Sequence, residues 1–337
     1  MSQNQSLLTP SGPVAVSCVR DPISILKQLL SEHLSQVERY ATMVVREGNA
    51  DTETIHQLRI SLRRTETVFF QFGDLIPQQK YRWFEKHLTR LRKVSNPLRD
   101  ADILLERIEK HHASGPYNGL KEKAHIAQQA SFSAVLSACR KWLCPDQAAE
   151  HQSSLLQKLD RKSQTDACDR DPIDGERQVL KRIKNSLSTL GREIFARRLS
   201  WKGQETLHER RIEIKRLRYA LELFEPYLSA DRYADVHSRL KSLQSRLGDM
   251  NDEAIIVEKL RKWKNDDDIC AGEADEIARL KKDISADLDR HLTKFKAWWT
   301  ISRRTKWKKD WQNFVNTLGE KTYDGMESVL DLGNSSA

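Results

Sequence analysis

Two segments of the chain carry a histidine followed by basic residues at matching spacing. The first segment has His56, Arg59, Arg63 and Arg64, and the second has His208, Arg211, Lys215, Arg216 and Arg218. An arginine fork can donate two hydrogen bonds to one phosphate group, and a lysine adds a compact positive charge. These residue types at this spacing predict two copies of a site for a phosphate-rich anion.

Helical geometry places the basic residues of the first segment on one side. At about 100° per residue, Arg63 lies roughly 20° from His56, and Arg59 lies roughly 60° from it. The apolar residues form a separate stripe, centred about 140° from the histidine, at Ile55, Leu58, Leu62, Phe69 and Phe72. The basic stripe therefore borders the core face, where side chains are partly walled in.

This basic spacing is unfavourable for an isolated helix. Like charges four residues apart, as in Arg59/Arg63 and Arg211/Lys215, destabilise a helix by a few tenths of a kcal/mol. The same unfavourable spacing occurs in both segments, which favours a bound anion over a purely structural role.

Each copy opens with a capping box, which predicts that the helices begin at Thr54 and at Thr206. The threonine is followed three residues later by Gln57 in one copy and by Glu209 in the other. Each histidine then lies in the first turn, where the helix dipole disfavours a protonated ring and a bound polyanion favours it. We expect binding to strengthen as the pH falls. The alternative is a capping or buried structural histidine.

The two segments belong to a longer internal repeat at an offset of about 152 residues. Phe72 aligns with Phe224, and Asp100 aligns with Asp252. Such a duplication predicts two similar helical bundles about a pseudo-two-fold axis, with equivalent faces lining one shared cleft.

The composition favours helices throughout. The charged fraction is 31%, and the chain has only 13 glycines and 9 prolines. We predict an all-α fold of two pseudo-symmetric helical bundles around a basic central groove. Asn96-Pro97 is expected to kink or break the third helix, because proline lacks a backbone donor. Helices are expected at about 22–48, 54–72, 78–112, 118–143, 174–199, 205–225, 229–264, 273–300 and 304–318.

The predicted domain organisation follows the repeat. It consists of a mobile N-terminal tail over 1–20, a domain over 21–318 and a disordered C-terminal tail over 319–337. Within the domain, repeat one covers 21–144, repeat two covers 172–318, and the linker between them, 145–171, is expected to include a loose helix.

The charge balance predicts an acidic partner. The net charge is +9, which suits nucleic acid, an anionic membrane surface or a phosphate polymer. The five cysteines have no C-x-x-C spacing, so we expect reduced thiols and no structural zinc. No leader and no apolar run long enough for a membrane span is present, which predicts a cytoplasmic protein with no membrane partner.

Other basic residues extend the predicted anion track, although a solvated surface is an equal alternative for each of them. They are Arg46, Arg90 and Lys93 in the first repeat, and Arg198, Arg239, Lys241 and Arg246 in the second.

The combined motifs resemble the CHAD family, the conserved-histidine α-helical domains. The second copy, from His208 to Phe224, is the closer match, and it is followed by Leu243-Gln244-x-x-Leu247-Gly248-x-x-Asn251-Asp252. The resemblance covers about residues 22 to 316. In one place the chain departs from the family: Asn96-Pro97 stands where the first repeat usually has a glycine.

The resemblance implies paired helical bundles whose basic central groove binds inorganic polyphosphate, and an association with polyphosphate granules. Some members are fused to a CYTH triphosphatase, but this chain has no Glu-x-Glu-x-Lys motif. We therefore expect no catalytic residue, no cofactor and no metal site. The oligomeric state stays open, and a duplicated chain is compatible with a monomer.

Two other functions stay open at this stage. A nucleic-acid binder would use the same cations on backbone phosphates, but the aromatics of the repeated helices fall on the core stripe. The exception is the Trp-rich C-terminal segment, for which a packed helix is favoured. A helical protein-docking scaffold is the second alternative.

Overall fold

The computed structural model describes residues 21–48, 51–144, 147–167, 172–196, 204–265 and 270–318, and every element within them is helical. The ten α-helices are α1 (Pro22–Glu47), α2 (Thr52–Phe72), α3 (Gln78–Lys110), α4 (Asn118–Trp142), α5 (Ala148–Ala167), α6 (Pro172–Ala196), α7 (Gln204–Leu223), α8 (Ala230–Lys264), α9 (Ala271–Trp298) and α10 (Ile301–Asn316). The all-α class is confirmed for these residues. The two predicted tails, 1–20 and 319–337, lie outside them.

The ends of α1 follow the signals in the sequence. Asp21 caps the first turn, because its Oδ1 accepts a hydrogen bond from the Ile23 backbone N–H at 2.8 Å. Pro22 takes the first helical position, where no donor is lost. Gly48 closes the helix at a φ of 63°, a left-handed conformation that glycine adopts without strain.

The start of α2 differs from the prediction. Its N-cap is Asp51, whose Oδ2 accepts from the Thr54 N–H at 2.7 Å. This carboxylate satisfies the orphan donor three residues ahead, so the helix begins before Thr54 and the predicted capping box does not form. The Thr54 hydroxyl donates instead to Glu47 at 3.3 Å. Since α2 begins at Thr52, His56 lies in the second turn.

The helix α3 runs through Pro97 without a break. Leu91 and Leu98 flank the proline, and both are buried in the main core. Burial of such side chains contributes about 1.5–3 kcal/mol each, which offsets the loss of one backbone hydrogen bond. The predicted break at Asn96-Pro97 was therefore wrong, and a kink there stays a prediction.

Helices in the two halves of the chain pack in pairs. The starts of α3 and α8 differ by 152 residues. The helix α1 packs against α6, α2 against α7, α3 against α8, and α4 against α9. The additional helices α5 and α10 pack against α1 and α6, respectively.

Two hydrophobic cores hold these pairs together. The main core includes Leu58 of α2 and Leu217 of α7, and Phe72 approaches Phe224 with ring centroids 6.2 Å apart. The second core joins the distal halves of α3 and α8 to α4 and α9. Because the apolar stripes of α2 and α7 share the main core, the adjoining basic stripes come close together.

The linker segment contains the helix that was predicted there, since its described residues form α5. Within 145–171, α5 buries Leu155 and Leu159 in the main core.

In the part of the chain that the structure describes, no helix is long and apolar enough to cross a membrane.

Candidate polyanion-binding site

Four basic side chains meet where α2 packs against α7. We call Arg59, Arg63, Arg211 and Lys215 the central basic cluster. All four are partly buried, and Arg63 interacts electrostatically with both Arg211 and Lys215 across the helix contact. Two segments far apart in sequence therefore present one group of positive charges.

On the α2 side, the arginines have neutral acceptors or none. Arg59 Nη1 donates to Ser95 Oγ at 2.8 Å and to Asn96 Oδ1 at 3.0 Å. Burial, followed by the charge of Arg63, lowers the pKa of Arg59 to about 10. Within the described residues, the Arg63 guanidinium has no hydrogen bond or ion pair, and burial lowers the pKa of Arg63 too. Both side chains therefore keep donors that an anion can use.

On the α7 side, an Asn-Asp pair of α8 holds the basic residues. Arg211 Nη2 lies 3.2 Å from Asp252 Oδ1. Asn251 is buried, and its Oδ1 lies 3.1 Å from His208 Nδ1. Asn251 Nδ2 also donates to Asp252 Oδ1 at 3.2 Å. A single dipeptide thus positions both the histidine and the first arginine of the second copy.

Lys215 has a strongly lowered pKa. Burial, followed by the charges of Arg63 and Arg211, lowers its pKa to about 6. Asp252 opposes this shift, but this carboxylate also faces Arg211. The site therefore concentrates positive charge beyond what its own carboxylates neutralise.

The two histidines flank the cluster at its exposed edge. Partial burial lowers the pKa of His56, and the positive charge of Arg99 lowers it further. His56 also interacts electrostatically with Arg59 and with Lys215 on the other helix.

Comparison with known proteins assigns this arrangement to a family. The family model described as the CHAD domain matches residues 28–261. The chain belongs to the CHAD domain family. No curated protein matches it significantly in sequence.

Two solved structures share the fold at low sequence identity. The crystal structure of the CHAD domain from the plant Ricinus communis is 20% identical, with a TM-score of 0.61, and the match covers 82% of this chain and 90% of that one. PptA from Streptomyces chartreusis is 17% identical, with a TM-score of 0.55, and the match covers 83% of this chain and 99% of that one. Both matches extend the similarity over most of this CHAD domain.

Other predicted residues of the CHAD signature surround Glu222. Arg218 pairs with Glu222 one turn away, donates to Gln244 at 2.6 Å and stacks on the Tyr219 ring. Arg64 reaches Glu222 from α2 at 3.9 Å, with 51% of its side chain exposed. Arg216 is exposed. Arg64 and Arg218 therefore share one carboxylate at the margin of the site.

The outer basic residues lie in varied surroundings. Arg239 pairs with Asp235 and Asp310, and Arg246 stacks on the Trp298 ring at 4.5 Å. The remaining described residues of this set, Arg46, Arg90, Lys93 and Lys241, are exposed, and Arg198 lies outside the described residues. Their part in ligand binding stays a prediction.

Several site residues were missed in the sequence. Asp100 lies between the helices near Arg59, and burial followed by the charge of Asp252 raises its pKa. It lines a cleft of about 390 Å³ between α3 and α8, together with Pro97, Ile255, Glu258, Lys259 and Lys262. The match of Asp100 to Asp252 in the repeat was the available signal.

Arg210 falls within the apolar stripe of α7, where the sequence offers no account of it. The structure buries it and pairs it with Glu213 at 2.5 Å, so it has a structural role.

Among the described residues, no group of three histidine, cysteine or carboxylate side chains is arranged to hold a metal ion.

Proposed function

We propose that this CHAD domain binds inorganic polyphosphate at the central basic cluster, without catalysis. The observation that carries the proposal is the meeting of Arg59 and Arg63 with Arg211 and Lys215 across the α2–α7 contact. Of these four basic side chains, Arg211 alone has a carboxylate within ion-pair distance among the described residues. A chain of phosphates supplies the missing negative charge and accepts the remaining donors.

The surroundings of the cluster favour a polymer of phosphate over nucleic acid. Nucleic-acid binding without base reading commonly stacks bases on exposed aromatic rings. Of the Trp-rich C-terminal segment, Trp299 and Trp311 are buried. Trp298 already stacks on Trp299 and carries an arginine over its ring. A phosphate polymer needs charge and hydrogen-bond donors alone.

The duplication and the basic groove belong to the same proposal. The offset of 152 residues between the starts of α3 and α8, and the pairing of α1–α4 with α6–α9, support two duplicated halves. The groove then follows the line where α2 meets α7, so that one phosphate chain contacts both copies. We also propose that polyphosphate binding places the protein at polyphosphate granules in the cytoplasm.

A competition titration tests the function. The purified protein is titrated with long-chain polyphosphate at about 150 mM salt, with duplex DNA as competitor. The test variant carries Arg59→Ala, Arg63→Ala, Arg211→Ala and Lys215→Ala. A matched variant also removes four basic side chains, by Lys282→Ala, Lys294→Ala, Lys296→Ala and Lys308→Ala at exposed positions of α9 and α10.

The expected result is polyphosphate binding that resists DNA, is lost in the folded cluster variant and survives in the matched variant. Equal competition by DNA would assign the site to nucleic acid or to nonspecific charge. Equal losses in the two variants would show that net charge, and not the cluster, drives binding. Release of orthophosphate during incubation would overturn the non-catalytic part of the proposal.

A further inference from the structure

Lys215 differs in chemistry from its aligned partner Arg63. A guanidinium keeps its proton under all ordinary conditions, whereas a lysine ammonium loses its proton readily when it is desolvated. Lys215 is partly buried on α7, and within the described residues its amine has no hydrogen bond or ion pair. At this position the first copy therefore has a permanent positive charge, and the second copy has a charge that can be lost.

The groups around the Lys215 amine are mostly cationic. Those that act on it electrostatically are His56, Arg59 and Arg63 of α2, Arg211 of α7, and Asp252 of α8. The helix α6 also packs on α7, but none of its charged groups is among those acting most strongly on the amine. The one carboxylate of the set, Asp252, lies 3.2 Å from Arg211. No carboxylate is thus left for Lys215 alone.

We infer that the Lys215 amine is uncharged in the free protein at neutral pH and takes up one proton from solvent when a polyphosphate chain binds. The inference rests on the proposed polyphosphate function and adds a regulation to the same site. Phosphate oxygens beside the amine supply the negative charge that Asp252 does not, and they accept hydrogen bonds from the ammonium that forms. Binding is then coupled to proton uptake.

The pKa supports this geometry. Because burial and the flanking arginines lower the pKa of Lys215 to about 6, the free amine is largely unprotonated above neutral pH. Uptake of one proton makes the affinity fall by up to about tenfold for each unit of rising pH. The lowered pKa of His56 restricts its own titration to more acidic solutions. A window from about pH 7.5 to 9 therefore isolates the lysine.

The direct test uses the unmodified protein. Calorimetric titration with long-chain polyphosphate in buffers of different ionisation enthalpy measures the number of protons taken up. We expect close to one proton at about pH 8, and an affinity that falls roughly tenfold per pH unit between pH 7.5 and 9. Lysine side-chain NMR of the free protein follows Lys215 itself, assigned by the signal missing from Lys215→Arg.

Two variants fix the charge in opposite states. Lys215→Arg, which copies the aligned arginine, should bind with an affinity that changes less than about twofold across the window. The polyphosphate affinity of Lys215→Met should also be independent of pH, and it should equal that of the parent only at the alkaline end of the window. The control Lys282→Arg, at an exposed position of α9, should keep the slope of the parent.

The outcomes separate the two proposals. Binding with no proton uptake, or a slope that Lys215→Arg retains, overturns the coupling and leaves the polyphosphate function standing. Absence of polyphosphate binding at every pH overturns both, whatever the NMR titration shows. An NMR titration of Lys215 near the ordinary lysine range also overturns the coupling.

Discussion

Arg59 of α2 and Arg211 of α7 occupy aligned positions, yet their acceptors differ in charge. Arg59 donates to a serine hydroxyl and an asparagine carbonyl of α3, whereas Arg211 faces the carboxylate of Asp252 on α8. The α2 half of the site therefore keeps more uncompensated positive charge. In the α7 half, Asp252 offsets part of the charge of Arg211 and holds this side chain in place.

The histidines show the same contrast. His208 lies within hydrogen-bond distance of Asn251, whereas His56 faces Arg99, which aligns with Asn251 and repels a protonated ring. The next aligned pair differs as well. Glu66 of α2 pairs with Arg92 of α3, whereas Arg218, which aligns with Glu66, donates to the neutral Gln244 of α8. One signature can thus be presented either as free charge or as a preorganised network. We expect the α2 half to contribute more to affinity.

The largest effect is expected from Arg63→Ala. Hydrogen bonds to charged groups contribute about 1.5–3 kcal/mol, so polyphosphate affinity should fall about 10- to 100-fold. The neighbouring Arg64→Ala removes a half-exposed side chain that already faces Glu222 and should cost less than about threefold. Equal losses, measured by titration at about 150 mM salt, would contradict the distinction between the cluster and its margin.

Lys215→Met should stabilise the free protein. The pKa of Lys215 falls from 10.5 to about 6 on folding, so the unfolded chain binds more protons between these values. The lysine therefore lowers the free energy of unfolding fully below about pH 6, and this cost disappears as the pH rises through 10.5. We expect a gain of about 1–3 kcal/mol at pH 7 that shrinks at pH 9.5, measured by urea unfolding. The control Lys282→Met should leave the free energy of unfolding unchanged. A loss of stability at pH 7 in Lys215→Met would show that the buried lysine does not destabilise the fold.

Asp252→Asn should make the α7 half resemble the α2 half. It removes the negative charge that competes for Arg211, so polyphosphate affinity should rise about three- to tenfold. The control Asp249→Asn removes the same charge from an exposed position of α8, and it should change affinity by less than about twofold. Unchanged affinity in both variants would show that Asp252 does not compete with the ligand.

Arg99→Ala gives the smallest expected effect. Without this positive charge, the pKa of His56 should rise toward its ordinary value. Histidine ring signals in an NMR pH titration measure it, and His208, whose neighbour is Asn251, serves as the internal control. An unmoved His56 titration would mean that Arg99 does not contribute to the lowered pKa of His56.

The sequence predicted most of the fold because its strongest signals are periodic. The apolar stripes around Leu58 and Leu217 placed α2 and α7 in one core, and the order of helices followed. The errors lay where one local signal competes with another. The Asp51 carboxylate accepts from the Thr54 N–H, which the Gln57 side chain was expected to bind in the capping box. Burial on both sides of Pro97 keeps α3 intact.

The site was predictable in its residue types but not in its charge state. The spacing identified Arg59, Arg63, Arg211 and Lys215, because matched basic residues on two helices are visible in a sequence. Their neutralisation depends on α3 and α8, which reach the cluster through tertiary packing. The pairing of Arg211 with Asp252 and the desolvation of Lys215 are therefore properties of the folded chain.

The central claim is that both halves bind one phosphate chain, and each half carries its own reporter. Histidine ring signals of His56 and His208 can be followed by NMR during titration with polyphosphate of defined length. One shared site predicts that both signals move together, with the same apparent affinity and one chain bound per protein. Two different affinities, or a change confined to one histidine, would contradict a shared site.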